Sequence, residues 1–153
     1  MAGAIISAGD IEGVTISGGE PFTQAAPLSL LIDWVRRERD VGVIVYTGYT
    51  LAELHQMAAL NKAGGIPSFL DRIDLLIDGP YIKELDDGLS LRGSSNQMIH
   101  TLTDRYAGIL DQYYARPARN VEMHFRKEEI FLAGIPGPEV LRKWKENNLI
   151  RKP

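Results

Sequence analysis

No cysteine occurs among the 153 residues. That absence excludes disulfides, thiolate zinc sites, cysteine nucleophiles and any iron–sulfur cluster ligated from within this chain. Charge of one sign is also scarce, because 17 Lys and Arg stand against 20 Asp and Glu for a net charge of −3. Electrostatics therefore give no reason to expect a nucleic acid or a membrane surface as partner. No window approaches the run of about 20 apolar residues that a membrane-spanning helix needs, and Met1 to Gly9 has neither the basic flank nor the apolar stretch of a leader. A cytoplasmic protein is the simplest expectation. The phosphate-cradling patterns GxGxxG and GxxxxGK[ST] are missing too, which leaves little support for an unrelated nucleotide binder. There is no internal repeat or low-complexity linker, so residues 1–153 read as a single domain. The 44% hydrophobic and 24% charged residues that are present make an ordinary globular balance.

Short β-branched runs alternate with amphipathic stretches over the first two thirds. Val14-Thr15-Ile16-Ser17, stopped by Gly18-Gly19, reads as a strand feeding a tight turn. Leu28, Leu31, Ile32 and Val35 fall at i, i+3, i+4 and i+7, one helical stripe, with Pro27 suited to its first turn. Val41 to Tyr46 is apolar on both faces and reads as a central strand. Thr50-Leu51-Ala52-Glu53 matches a capping box, predicting a helix to about Lys62 before Gly64-Gly65. Ile73 to Asp78 is a third strand, halted by Gly79-Pro80. This alternation predicts an α/β fold with a mostly parallel sheet covered by helices. Beyond it, Asp86-Asp87-Gly88 reads as a turn in an irregular excursion, and Thr103 as the cap of a helix to about Tyr114. Val121 to Leu132 reads as a further strand or a hairpin turning at Lys127-Glu128, and Glu139 to Asn148 as a charged helix.

In parallel α/β folds the loops at the carboxyl ends of strands form the ligand-binding edge. Three such ends, Ser17 to Pro21, Thr47 to Tyr49 and Asp78 to Pro80, should cluster here. A glycine pair leaves backbone amides open to a ligand, and Glu20 at the same corner suits a cationic group such as an ammonium. A plain glycine turn with a solvated glutamate is an equal reading of that corner alone. Asp74 and Asp78 share a strand face about four residue rises apart, too far for an acid pair. Asp78 is the functional candidate, and Asp74 is expected to be a cap or a surface residue. Arg92-Gly93-Ser94-Ser95-Asn96-Gln97 is the densest polar run, suited to hydroxyl or carboxylate recognition or simply a polar loop. His55, His100 and His124 lack metal-ligand spacing. His55 is expected on a helix surface and the other two at ordinary loop or strand positions. The basic residues from Arg142 to Lys152 read as a solvated helix face rather than an RNA contact.

Together these motifs resemble the radical S-adenosylmethionine superfamily, and within it the small activating enzymes of anaerobic ribonucleotide reductase. Five blocks carry the likeness in order: Glu12 to Phe22 with its Gly18-Gly19-Glu20, Val45 to Thr50, Ile73 to Tyr81, Arg92 to Gln97, and Leu132 to Pro136. The resemblance implies a partial (β/α) barrel in which Gly18, Gly19 and Glu20 hold the methionine amino group of S-adenosylmethionine. It further implies that Thr47, Asp78, Ser94, Ser95 and Asn96 lie near the ribose, the methionine carboxylate or the partner's glycyl-radical loop, and that Gly134-Ile135-Pro136 approaches the adenine. The expected partner is an anaerobic ribonucleotide reductase or another glycyl-radical enzyme. One departure matters: the family's CxxxCxxC loop, which binds a [4Fe–4S] cluster, has no counterpart here. The chain is therefore expected to be an N-terminally truncated member, inactive alone, with a non-catalytic binding or docking module as the alternative. A truncated sheet should also expose its glycine-ended strand as an edge and favour a homodimer.

Overall fold

The computed structural model describes residues 1–60, 64–110, 121–126, 129–134 and 137–146. Three of the apolar runs form the strands expected of them. β1 (Gly13–Ile16), β2 (Gly42–Tyr46) and β3 (Leu75–Asp78) lie parallel, with Gly13 opposite Gly42 and Ile44 opposite Leu75. β4 (Met98–Thr101) runs antiparallel to β3, pairing Met98 with Asp78. The sheet is open, in the order β1-β2-β3-β4, so β1 and β4 are its edges. At this level the α/β, mostly parallel expectation holds. Burial follows position, since all four residues of β3 are buried whereas β1 is only half-buried.

α1 (Ala2–Ile6) leads into β1, and α2 (Ala25–Glu38) crosses from β1 to β2. Ile32 and Val35 of the predicted stripe are buried and Leu28 and Leu31 partly so. The Thr50 capping box forms, because Thr50 Oγ1 accepts from Glu53 N at 3.2 Å and Glu53 Oε2 accepts from Thr50 N at 2.7 Å. Those bonds to Thr50 hold the Glu53 carboxyl below its ordinary range. The helix it starts, α3 (Leu51–Ala59), stops short of the expected Lys62. A second helix in this crossover, α4 (Ile66–Leu70), was not expected, because five residues are too few to show a period. Gly65 precedes it at φ +89°, and a Cβ there would lie 2.8 Å from the backbone N and Cα of Ala26 on α2. Between helices and sheet, the Phe22 and Phe69 rings meet tilted with centroids 5.0 Å apart, beside buried Val43, Val45, Leu54 and Leu76.

Asp74 requires a correction. It is not a surface residue but 4% exposed, at the amino end of β3. Its Oδ2 accepts from Arg36 Nη2 at 2.6 Å and from Val43 N at 2.8 Å, and its Oδ1 from Thr103 Oγ1 at 2.6 Å. Arg105 stands 3.9 Å away and also pairs with Asp40. A carboxylate so placed ties α2, β2, β3 and the segment after β4 together.

Asp86-Asp87-Gly88 forms the expected turn, Asp86 Oδ1 accepting from Gly88 N at 3.0 Å. Thr103 caps a 3-10 turn at Asp104–Tyr106 through the Arg105 amide, and the expected extension to Tyr114 lies outside the described residues. Tyr106 packs on the sheet face away from the helices, with Leu75 and Ile77. β5 (Val121–Arg126) and β6 (Glu129–Gly134) make the expected hairpin, although its turn at 127–128 is outside the described residues. α5 (Pro138–Glu146) is the expected charged helix, with Lys143 and Glu139 paired at 3.1 Å.

Candidate functional site

The three strand ends do cluster. After β1 the chain turns through Gly18 at φ +86° and Gly19 at φ +55°, conformations that favour glycine, and a Cβ on either would meet nothing within 4 Å. Glu20 follows in extended conformation and caps a 3-10 turn at Pro21–Gln24, its Oε1 accepting from Phe22 N at 3.0 Å. The same oxygen accepts from Thr47 Oγ1 at 2.8 Å, and Oε2 accepts from Gly48 N at 2.9 Å. Thr47 is buried, and its hydroxyl also accepts from Tyr49 N at 3.2 Å. Tyr49 O in turn accepts from Gly79 N at 3.0 Å, which brings in the end of β3. Each of these donors to Glu20 is neutral. They fix the carboxylate without cancelling its charge, and a carboxylate has about four lone-pair positions. The arrangement is a part-exposed anionic acceptor beside two glycines that leave room for a ligand, which suits an ammonium group.

Asp78 lies behind this corner, 3% exposed. Its Oδ2 accepts from Leu51 N, the first residue of α3, at 2.6 Å and faces His100 Nε2 at 2.9 Å, while Oδ1 accepts from Met98 N at 3.2 Å. It therefore joins α3, β3 and β4. His100, expected to be ordinary, is its side-chain partner, and the pairing of β3 with β4 that creates this contact has no local signal. His55 is exposed on α3 as expected, and His124 lies on β5.

The Arg92 to Gln97 run mainly organises its own loop. Ser94 Oγ accepts from Ile82 N at 3.0 Å, the Ser95 amide donates to Leu85 O at 2.8 Å, and Asn96 Nδ2 donates to Pro80 O at 2.7 Å. Asn96 Oδ1 is buried and has no hydrogen-bond partner among the described residues. Gln97, absent from the candidate residues, does more than its neighbours. Its Oε1 accepts from Gly93 N at 2.8 Å and Ser94 N at 3.2 Å, and its Nε2 donates to Gly79 O at 2.9 Å. The run thus reaches the site through Gly79-Pro80. Arg92 pairs with Asp87 at 2.5 Å; partial burial opposes ionisation of Asp87, but this contact and the Leu89 amide hold its carboxyl below the ordinary range. Gly134 ends β6, while Ile135 and Pro136 lie outside the described residues.

A [4Fe–4S] cluster does not fit these residues. There is no cysteine to supply thiolates, and the described residues contain no group of three His, Asp or Glu able to hold a metal. Nor does any described helix have the length and apolarity to cross a membrane.

Comparison with known proteins sets this against an expectation of iron and sulfur. A family described as "4Fe-4S single cluster domain" matches residues 3–100. The chain is 40% identical over 96 residues to an anaerobic ribonucleoside-triphosphate reductase-activating protein of Vibrio cholerae, covering 60% of this chain and 56% of that one. It is 40% identical over 93 residues to the protein of the same name in Haemophilus influenzae, covering 58% and 55%. For that of Escherichia coli strain K12 the identity is 38% over 97 residues, covering 60% and 56%. The chain thus spans about half the length of the curated relatives it matches. No solved structure matches.

Proposed function

The chain belongs to the 4Fe-4S single cluster domain family, among the radical S-adenosylmethionine activases, and from that premise we propose that its Gly18-Gly19-Glu20 corner binds the ammonium end of S-adenosylmethionine in the service of activating an anaerobic ribonucleotide reductase. The observation that carries this reading is Glu20, a carboxylate fixed at 2.8–3.0 Å by Phe22 N, Thr47 Oγ1 and Gly48 N, none of which neutralises it. Gly18 and Gly19 leave the adjoining space open. Thr47 holds the carboxylate, and Asp78, Ser94, Ser95 and Asn96 shape the loops behind it. Within this reading the open sheet is part of a partial barrel, the setting is the cytoplasm, and the exposed β1 edge pairs two copies as a homodimer.

S-adenosylmethionine, when bound and reductively cleaved, supplies the oxidising equivalent for a glycyl radical on the reductase. What this chain's own residues do is bind and orient. Without thiolates it holds no cluster to deliver the electron, so we propose that it is inactive alone. That same absence favours a second reading, a binding or docking module without chemistry.

Calorimetry with S-adenosylmethionine tests the site. Glu20→Gln keeps the size of the side chain and removes its charge, so affinity should fall by about tenfold or more. Equal affinity in both proteins, or no binding by the native chain, overturns the reading.

A further inference from the structure

The family match ends at residue 100, and the hairpin of β5 and β6 lies beyond it. Its register sets Val121 opposite Gly134, Met123 opposite Leu132 and Phe125 opposite Ile130. Residues opposite each other in a ladder share a face, so these six positions give the hairpin one face that is apolar throughout. The other face holds Glu122, His124, Arg126 and Glu129 beside Phe131 and Ala133. A two-stranded hairpin alone is marginal in water and needs its apolar face covered. Among the described residues, β5 and β6 pack closely only on each other.

A second apolar surface lies on the sheet. Gly13 and Gly42 stand opposite each other on β1 and β2, and the Tyr106 hydroxyl comes down over them where a Cβ on Gly42 would collide with it. Beside that ring opens a cavity of about 270 Å³, lined by Thr15, Ile44, Leu75, Ile109 and Leu110. It is on the face away from the helices, because Val14, Ile16, Val43 and Val45 pack on the helix side while Ile44 and Leu75 pack with Tyr106. It also sits toward the amino ends of β1 and β3, at the opposite end of the sheet from the Glu20 corner. An apolar cavity of about 150 Å³ takes a benzene ring, so this one has room for a phenyl group and an aliphatic side chain, as the Phe125 and Ile130 pair supplies.

We infer that the apolar hairpin face of one copy of this chain seats in the sheet cavity of a second copy, each copy giving its hairpin and receiving the other's. Area favours a second copy as the occupant. The five large side chains Val121, Met123, Phe125, Ile130 and Leu132 supply about 500 Å² at roughly 100 Å² apiece. Mutual exchange uses both hairpin and cavity of each copy, about 1,000 Å² a side, which exceeds the roughly 800 Å² a standard interface takes from each partner. A one-way contact falls short of that. The exchange is isologous, so it closes at two copies. It uses the face of the sheet rather than the β1 edge, and it does not rest on what Glu20 binds.

Light scattering on the full chain tests it. Phe125→Asp puts a charge on the hairpin face, and Thr15→Trp fills the cavity from an exposed strand position that suits a large aromatic residue. Each variant should halve the mass of the assembly, whether or not β1 edges pair as well. Mixed in equal parts, the two should recover the native mass, because the Thr15→Trp copy keeps its hairpin and the Phe125→Asp copy keeps its cavity. With one contact in place of two, the mixture should associate about tenfold more weakly than the native chain. Recovery also shows that both variants keep the fold. A mass indifferent to Phe125→Asp or to Thr15→Trp overturns the inference, and so does a mixture that stays at half mass. A native chain of single-copy mass at every concentration overturns it too, as closure of the hairpin on its own cavity would give.

Discussion

Asp74 at the amino end of β3 and Glu20 at the carboxyl edge of the sheet are both held by close donors, at 2.6–2.8 Å and 2.8–3.0 Å respectively. The donors differ in kind. Asp74 is buried, and Arg36 balances its charge while Val43 N and Thr103 Oγ1 also donate to it. Glu20 is part-exposed and meets two amides and a hydroxyl. Asp74 is matched by a cation as it joins elements, whereas Glu20 is oriented by neutral groups that leave its charge unbalanced. Hydrogen-bond number and length therefore do not tell these two carboxylates apart; the charge of their donors does.

The strongest test of that contrast is Asp74→Ala. It leaves Arg36 without its partner and strands Val43 N and Thr103, and should cost about 3 kcal/mol, the low end for a broken buried pair because Arg36 keeps some solvent. A urea midpoint that falls with unchanged slope would show it, and a loss below 1 kcal/mol would break the comparison. Asp78→Ala comes next. It removes the acceptor for the first amide of α3 and for Met98 N, and should cost about 2 kcal/mol, with amide exchange quickening in α3 and β4 first.

The smallest effect is the response to acid. Asp33 is held below the ordinary carboxylate range by its hydrogen bond to Arg72, at 2.7 Å, and Glu53 by the bonds from Thr50. Both native values are depressed, so each group's contribution is present above the ordinary carboxylate range and is lost as pH falls through the depressed value. The Asp33 contribution is an ion pair and should shrink with added salt, while that of Glu53 comes from neutral donors and should not. Acid titrations of the Asp33→Asn and Glu53→Gln variants at low and high salt would resolve the two. Equal salt sensitivity would count against the distinction.

Much of this could be read from the chain. The three parallel strands, the α2 stripe, the Thr50 capping box and the convergence of three strand ends follow from local pattern. So does the glycine pair beside Glu20, whose residue types already mark a tight turn at the end of β1. What escaped was set by contacts distant in sequence. Asp74 looks like a strand-end residue until Arg36 and Thr103 fold onto it, and His100 acquires its partner only when β4 pairs antiparallel to β3. Gln97 stood within the polar run, but its role did not show, because one amide side chain binding three backbone groups depends on how the loop from Gly79 folds back.

Gly65 has a consequence for engineering. Its missing side chain lets α4 sit directly against Ala26, six residues along from Glu20. Any larger residue there would push on the start of α2 and, through the short turn before it, shift the Gly18-Gly19-Glu20 corner. A library built around the Glu20 corner should therefore include position 65, although its only link to that corner runs through the packing of α4 on α2.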